Sequence, residues 1–154
     1  MDKENWGKKK RLSLKDAIGI IFFGAMLSLG LNYLFTVSGF LQSSETYNQV
    51  AEKQFSLSLW KAIFAYGIWS PLKEEVIFRG ILYRFLRKYL PVMAAVFGSA
   101  LLFGIFHGNL VQMVYGTMMG IVMALLYEKY QTLIAPILFH SAANTAIYVV
   151  TYFF

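Results

Sequence analysis

Apolar residues in this chain come in long runs separated by short polar intervals, and the run lengths predict helices sized for a bilayer. Residues 17–37 form a first run, 56–72 a second with Lys61 near one end, 91–107 a third, 110–127 a fourth and 133–154 a fifth. Runs of seventeen to about twenty apolar residues suit helices crossing a hydrocarbon core of about 30 Å. The expected fold is therefore all-α, a polytopic membrane helical bundle of about five transmembrane segments. The organisation expected is a basic cytoplasmic tail (1–16), a first transmembrane helix with an external polar loop (17–55) and a membrane helical core (56–154).

Local signals sharpen the boundaries. Ser13 is placed to cap the first helix. Residues 38–55 mix Ser, Gln and Asn with Glu45 and Glu52, which predicts an external loop or interfacial segment outside the membrane helical core. Pro71 lacks a backbone donor and disfavours helical geometry in the residue before it. Ser70-Pro71 accordingly reads as a kink or a fresh start, with Ser70 as N-cap and Pro71 at the first helical position. That start puts Glu74 and Glu75 in the early turns of a short kinked or interfacial helix, where the helix dipole favours carboxylates.

Composition supports the membrane reading: 58% of the residues are hydrophobic, 14% are charged, and the mean hydropathy is +0.55, outside the range of ordinary soluble domains. From Tyr89 to the end of the sequence only Glu128 and Lys129 carry a full charge. The net charge of +6 does not point to nucleic acid, because much of the excess lies in Lys3, Lys8, Lys9, Lys10, Arg11 and Lys15, directly before a hydrophobic run. Such a segment favours cytoplasmic retention and anionic lipid. The 84–88 turn, with Arg84, Arg87 and Lys88, and the 128–131 turn belong on the same side, so the N-terminus is expected in the cytoplasm of a multi-pass cell-membrane protein. The first run is longer than a signal-peptide core and lacks an evident cleavage site, so it is expected to remain as a span. With no cysteine, a disulfide framework, a Cys-ligated zinc site and thiolate catalysis are excluded.

Three polar patterns interrupt the apolar background: Glu74-Glu75-x-x-x-Arg79, Phe103-x-x-x-His107 and His140-x-x-x-Asn144. An ionisable group at a helix centre in hydrocarbon costs roughly 2.5–3.5 kcal/mol on insertion scales, so each needs a partner or a purpose. Glu75 and Arg79 share a helical face, where the guanidinium can neutralise the carboxylate, leaving Glu74 the freer acid. Phe103 lies one turn before His107 and can wall a pocket, and Asn144 lies one turn after His140. Taken singly, each has a plain structural reading: an interfacial ion pair, a hydrogen-bonded histidine beside a turn, a polar clasp between helices. Together they can be satisfied only if several helices converge on one cavity. Gly104, Gly108, Gly116 and Gly120 have the spacing of close helix crossings.

A carboxylate with two imidazoles suits activation of water, and it also has the ligand count of a catalytic zinc site. No His-Glu-x-x-His motif is present, so a cofactor is not demanded. If zinc is bound, Glu74, His107 and His140 are the candidate ligands. Polar residues in a membrane bundle also serve binding proteins and proton relays, and those readings stay open on residue chemistry alone.

Glu74-Glu75-Val76-Ile77-Phe78-Arg79-Gly80, Phe103-Gly104-Ile105-Phe106-His107 and His140-Ser141-Ala142-Ala143-Asn144, in this order, resemble the three motifs of the CPBP family. That family comprises the CAAX prenyl endopeptidases and bacterial bacteriocin-processing or immunity homologues, also called Abi proteins. The resemblance covers about residues 70–147. It implies an intramembrane endopeptidase acting on membrane-associated protein or peptide substrates near the cytoplasmic face. Carried over by position, it implies Glu74 as general base, His107 as its partner in activating water, and His140 with Asn144 as oxyanion stabilisers. Glu75, Arg79 and Phe103 would support the site. It also implies a second outcome, a nonenzymatic interaction or immunity protein that keeps the same polar cavity for binding.

Overall fold

The computed structural model describes residues 10–153, so the leading part of the basic tail and the final residue lie outside the described residues. Six helices make up the bundle, and no strand occurs among the described residues. Helix α1 is Leu14–Val37 and α2 is Glu45–Phe55. A continuous helical run, α3, spans 59–89, followed by α4 (Val92–Phe106), α5 (Leu110–Tyr130) and α6 (Ile134–Phe153). The expected all-α membrane bundle is what forms. Helices α1, α5 and α6 are long and apolar enough to cross a membrane, whereas α4 has 15 residues.

The start of α1 follows its sequence signal. Ser13 Oγ accepts from the Asp16 N–H while Asp16 accepts from the Ser13 N–H, a reciprocal capping box. Asp16 also accepts from the Tyr130 hydroxyl at 2.9 Å, and the Lys10 N–H donates to the Tyr130 carbonyl, which ties the start of α1 to the end of α5.

Glycines set how closely the helices approach. A Cβ on Gly104 would collide with the Met113 carbonyl and Thr117 Oγ1, and one on Gly120 would stand 3.0 Å from the Ala100 Cα, so α4 and α5 cross backbone to backbone. Gly24 lies just as close to the Phe139 carbonyl, joining α1 to α6. Gly108 has another function: at φ +75° it forms the α4–α5 reversal, with no neighbour against it. Large apolar side chains such as Phe22, Trp60, Ile81 and Phe97 point outward, as expected where the solvent is lipid.

Two expectations need correction. Residues 38–55 are not a loop: a 3₁₀ turn (Leu41–Ser43) leads into α2, capped by Ser44 accepting from the Tyr47 N–H and favoured by Glu45 in the first turn and Lys53 in the last. Nor does a fresh helix start at Ser70. Trp69 and Ser70 are both right-handed helical, and the chain passes through Pro71 without a break. The proline is tolerated because Ile63–Trp69 is wound as a π-helix, which moves donors away from the carbonyls the ring would otherwise crowd. A second π segment, Val76–Tyr83, carries Arg79.

Candidate active site

Helix α3 supplies three of the polar residues. Arg79 Nη1 donates to Glu75 Oε1 at 2.8 Å with both side chains fully buried, as the four-residue spacing predicts. Arg79 Nη2 reaches across to the Gly120 carbonyl at 3.0 Å, an approach the missing Cβ of Gly120 permits. The guanidinium lies 4.6 Å from the Phe103 ring centre, so a cation–π contact helps to offset its desolvation.

From α6, His140 faces this pair. Its Nδ1 is 2.8 Å from Glu75 Oε1, and because a carboxylate held by arginine only accepts, Nδ1 carries the proton. The ring is thereby oriented with Nε2 towards Glu74, 3.7 Å from Oε2. The other Glu74 oxygen accepts from the Ser70 hydroxyl, one turn earlier on α3. Ser70 therefore positions the acid instead of capping a helix.

His107 ends α4. Its Nδ1 lies 2.8 Å from the Phe103 carbonyl, a pure acceptor, so this nitrogen also carries hydrogen and Nε2 is left as the basic one. The Phe103 ring meets His107 at 4.9 Å and His140 at 5.7 Å between centroids, both edge-on, so one aromatic ring sets the orientation of both imidazoles and the guanidinium.

Asn144 is placed by a defect in α3. The Ser70 N–H bonds to the Ala65 carbonyl, five residues back, so the next carbonyl acceptor in that register is Tyr66, whose donor would come from residue 71. Residue 71 is proline and has no N–H. Asn144 Nδ2 supplies the missing donor at 2.8 Å. The π turn and Pro71 together thus create the acceptor that fixes the Asn144 amide.

Glu74, His107, His140 and Asn144 all line one cavity of about 220 Å³. Glu74 is its exposed acid, with a side-chain exposure of 15% against 0% for Glu75. Tyr66, Tyr115 and Gln112 contribute to the walls, and Leu41, Tyr47 and Gln54 from the 3₁₀ turn and α2 close the far end. Burial raises the pKa of the Tyr47 phenol, which keeps it a neutral donor. The polar segment set apart by sequence reasoning as external therefore roofs the site.

Among the described residues no three histidine or carboxylate side chains gather closely enough to hold a metal ion. Glu74, His107 and His140 share a cavity, but in this arrangement they do not form a ready donor set.

The family described as "Type II CAAX prenyl endopeptidase Rce1-like" matches residues 56–146, which include Ser70, Glu74, Glu75, Arg79, Phe103, His107, His140 and Asn144. The chain belongs to this family. The Bacillus subtilis (strain 168) protein named "Putative membrane peptidase YdiL" is 30% identical over 140 residues, which is 85% of this chain and 57% of that protein. The present CAAX-endopeptidase-like chain thus spans a little over half the length of that relative. No solved structure matches it.

The charged residues singled out by spacing, Glu74, Glu75, Arg79, His107 and His140, lie at or beside this cavity in this family member, whereas the Ser70 hydrogen bond, the Tyr66 acceptor and the α2 roof have no such spacing signature. The signal for the Tyr66 acceptor was present: a proline inside an apolar helix leaves a carbonyl without its donor, and Asn144 is the only asparagine in the apolar runs after it.

Proposed function

We propose that this protein is an intramembrane endopeptidase that hydrolyses peptide bonds of membrane-associated protein or peptide substrates, with water activated by Glu74. The observation that carries the reading is the state of Glu74: one oxygen is held by Ser70, and the other points to His140 in a cavity that His107 and Asn144 also line. Among the described residues, Glu128 has both oxygens held by Arg87 and Tyr83, and Glu75 is bound by Arg79 and His140 outside the cavity lining, whereas Glu74 lines the space where water and a peptide can sit.

In this reading a water held between Glu74 and His107 Nε2 gives a proton to Glu74 as its oxygen attacks the scissile carbonyl. The C–N bond then breaks, and Glu74 returns the proton to the departing amine. The tetrahedral oxyanion accepts from Asn144 Nδ2, whose second hydrogen is not used by Tyr66, and from His140 when its Nε2 is protonated. Glu75 would stabilise that charged ring, and Arg79 would keep Glu75 ionised. The donor arrangement favours a glutamate-type over a zinc-type reaction.

The test is cleavage of a membrane-associated peptide library by detergent-purified protein, comparing wild type with Glu74→Gln, each with chelator and with added zinc. Products that require Glu74 and survive chelation are expected. Products abolished by chelator and restored by zinc would replace the glutamate mechanism with a metal one. No products from folded wild-type protein would leave the binding or immunity reading in its place.

A further inference from the structure

We propose that Gln112 and Asn32 form a second recognition site inside the cavity, one that holds the backbone amide of an uncharged substrate segment beside the reacting centre. That the occupant is a substrate rests on the peptidase reading, whereas the polarity of the two side chains does not.

The direction of the Gln112 amide is set by the start of α5. Asn109 caps this helix, its Oδ1 accepting from the Gln112 backbone N–H at 2.9 Å. That leaves Asn109 only Nδ2, a pure donor, which reaches the His107 carbonyl at 3.4 Å and Gln112 Oε1 at 2.6 Å. Gln112 therefore has its acceptor occupied, and the group it offers to the cavity it lines is Nε2, with two hydrogens. Nε2 has no hydrogen-bond partner among the described residues. Because one Asn109 amide grips both the His107 carbonyl and Gln112, this donor is fixed in register with the imidazole. One turn further along α5, a Cβ on Gly116 would stand 3.7 Å from His107 Nδ1, so the face of α5 that carries Gln112 is the one on which His107 rests.

Helix α1 adds Asn32, the single side-chain amide in the first apolar run. It lines the same cavity one turn before Phe35, whose ring meets Tyr115 of α5 edge-on at 6.3 Å. Ser28 and Thr36 of this run spend their hydroxyls on backbone carbonyls, Ser28 on Ala25 and Ala143 and Thr36 on Asn32. The Asn32 side chain, by contrast, makes no hydrogen bond among the described residues. An unpaired amide in an apolar helix is costly, and its one donor edge and one acceptor edge match those of a peptide group.

The lining of the cavity contains one acid, Glu74, and no lysine or arginine. A carboxylate seated at Gln112 would share that space with Glu74 and have no cation to offset its desolvation, whereas a neutral carbonyl is matched by a neutral donor. Phe35, Val111 and Met119 contribute apolar wall beside the two amides. The occupant that fits is a backbone carbonyl in a segment with uncharged side chains.

Gln112→Glu keeps an oxygen for Asn109 Nδ2 and removes the donor. It should raise KM for a cleaved peptide about tenfold, the value of one hydrogen bond, with kcat changed less than about twofold and the unfolding midpoint in detergent level. Asn32→Leu should raise KM by a similar factor while raising the midpoint, because it takes an unpaired amide out of an apolar helix. A role in the fold alone gives the reverse, a lower midpoint with KM unchanged, and that result in both variants would overturn the proposal. Binding is read separately on Glu74→Gln protein with a fluorescent, N-blocked peptide of alanine, valine and leucine, in C-amidated and free-acid forms. Both forms should lose about tenfold in affinity when Gln112→Glu is added. A loss confined to the free acid would overturn the backbone assignment in favour of a terminal carboxylate. Gln112-dependent binding of the amidated peptide, with no cleavage by the wild type, would remove the peptidase reading and leave the recognition site standing.

Discussion

Two buried polar clusters sit at different depths in this bundle and are built on opposite plans. Near the basic end, Glu128 has both oxygens occupied: Oε1 by Arg87 Nε and Nη2 at 3.2 and 3.1 Å, and Oε2 by the Tyr83 hydroxyl at 2.8 Å. In the middle of the bundle, the Arg79–Glu75–His140 chain ends on Glu74, which faces a cavity, and Glu75 Oε2 and Arg79 Nε are without hydrogen-bond partners. The Glu128 clamp uses up its acceptors, whereas the second cluster leaves buried polar atoms unpaired and keeps Glu74 on the cavity wall. The difference separates two carboxylates that look alike in composition.

The sharpest way to break this comparison is Glu74→Gln. It should reduce cleavage by about 10²–10⁴-fold, the usual contribution of a general base, while leaving the unfolding midpoint in detergent nearly unchanged. An active Glu74→Gln enzyme would mean that the open carboxylate is not the base. Glu128→Ala should do the reverse: leaving Arg87 buried beside an apolar residue costs about 3–5 kcal/mol of stability, with turnover per folded molecule retained. Chemical denaturation followed by active-site titration would separate the two quantities.

Asn144→Ala should lower kcat by about 10²-fold if its amide donates to the oxyanion, with a smaller change in KM. A pure KM effect would make Asn144 a binding residue. The smallest effect is expected from Pro71→Ala, which restores an N–H able to bond to the Tyr66 carbonyl in competition with Asn144. Activity should fall a few-fold as the midpoint of unfolding stays level or rises. In an Asn144→Ala background the same change should have no further effect on activity, which a two-by-two comparison would show.

How much of this was legible in the sequence depended on whether a feature is carried by one helix or by several. The Glu75–Arg79 pair and the Ser13 cap depend on spacing within a single helix, and both formed as the spacing required. The convergence of Glu74, His107, His140 and Asn144 could be argued only from the cost of leaving each unpaired in lipid. The pairing within the set could not: His140, not His107, stands beside Glu74, because that depends on the relative rotation of α3, α4 and α6. The α2 helix was hidden for another reason. Its composition is that of a loop, and it is half-buried only because the cavity beneath it offers Tyr148 to Gln54 and Phe55. Ser70 was read as a cap because a proline usually marks a helix start, and the π turn before it removed the need for one.

The brevity of α4 bears on where the reacting water comes from. Fifteen residues rise only about 22 Å, well short of the roughly 30 Å of hydrocarbon around them. Because the tight Gly104 crossing on α5 holds the helix in place, the bilayer must dip towards its end to meet it. The end of α4 is His107, so the headgroup layer is drawn down to the rim of the site. A protein whose polar cavity lies among lipid tails would in this way bring the aqueous phase to its own histidine, with no channel needed through the bundle.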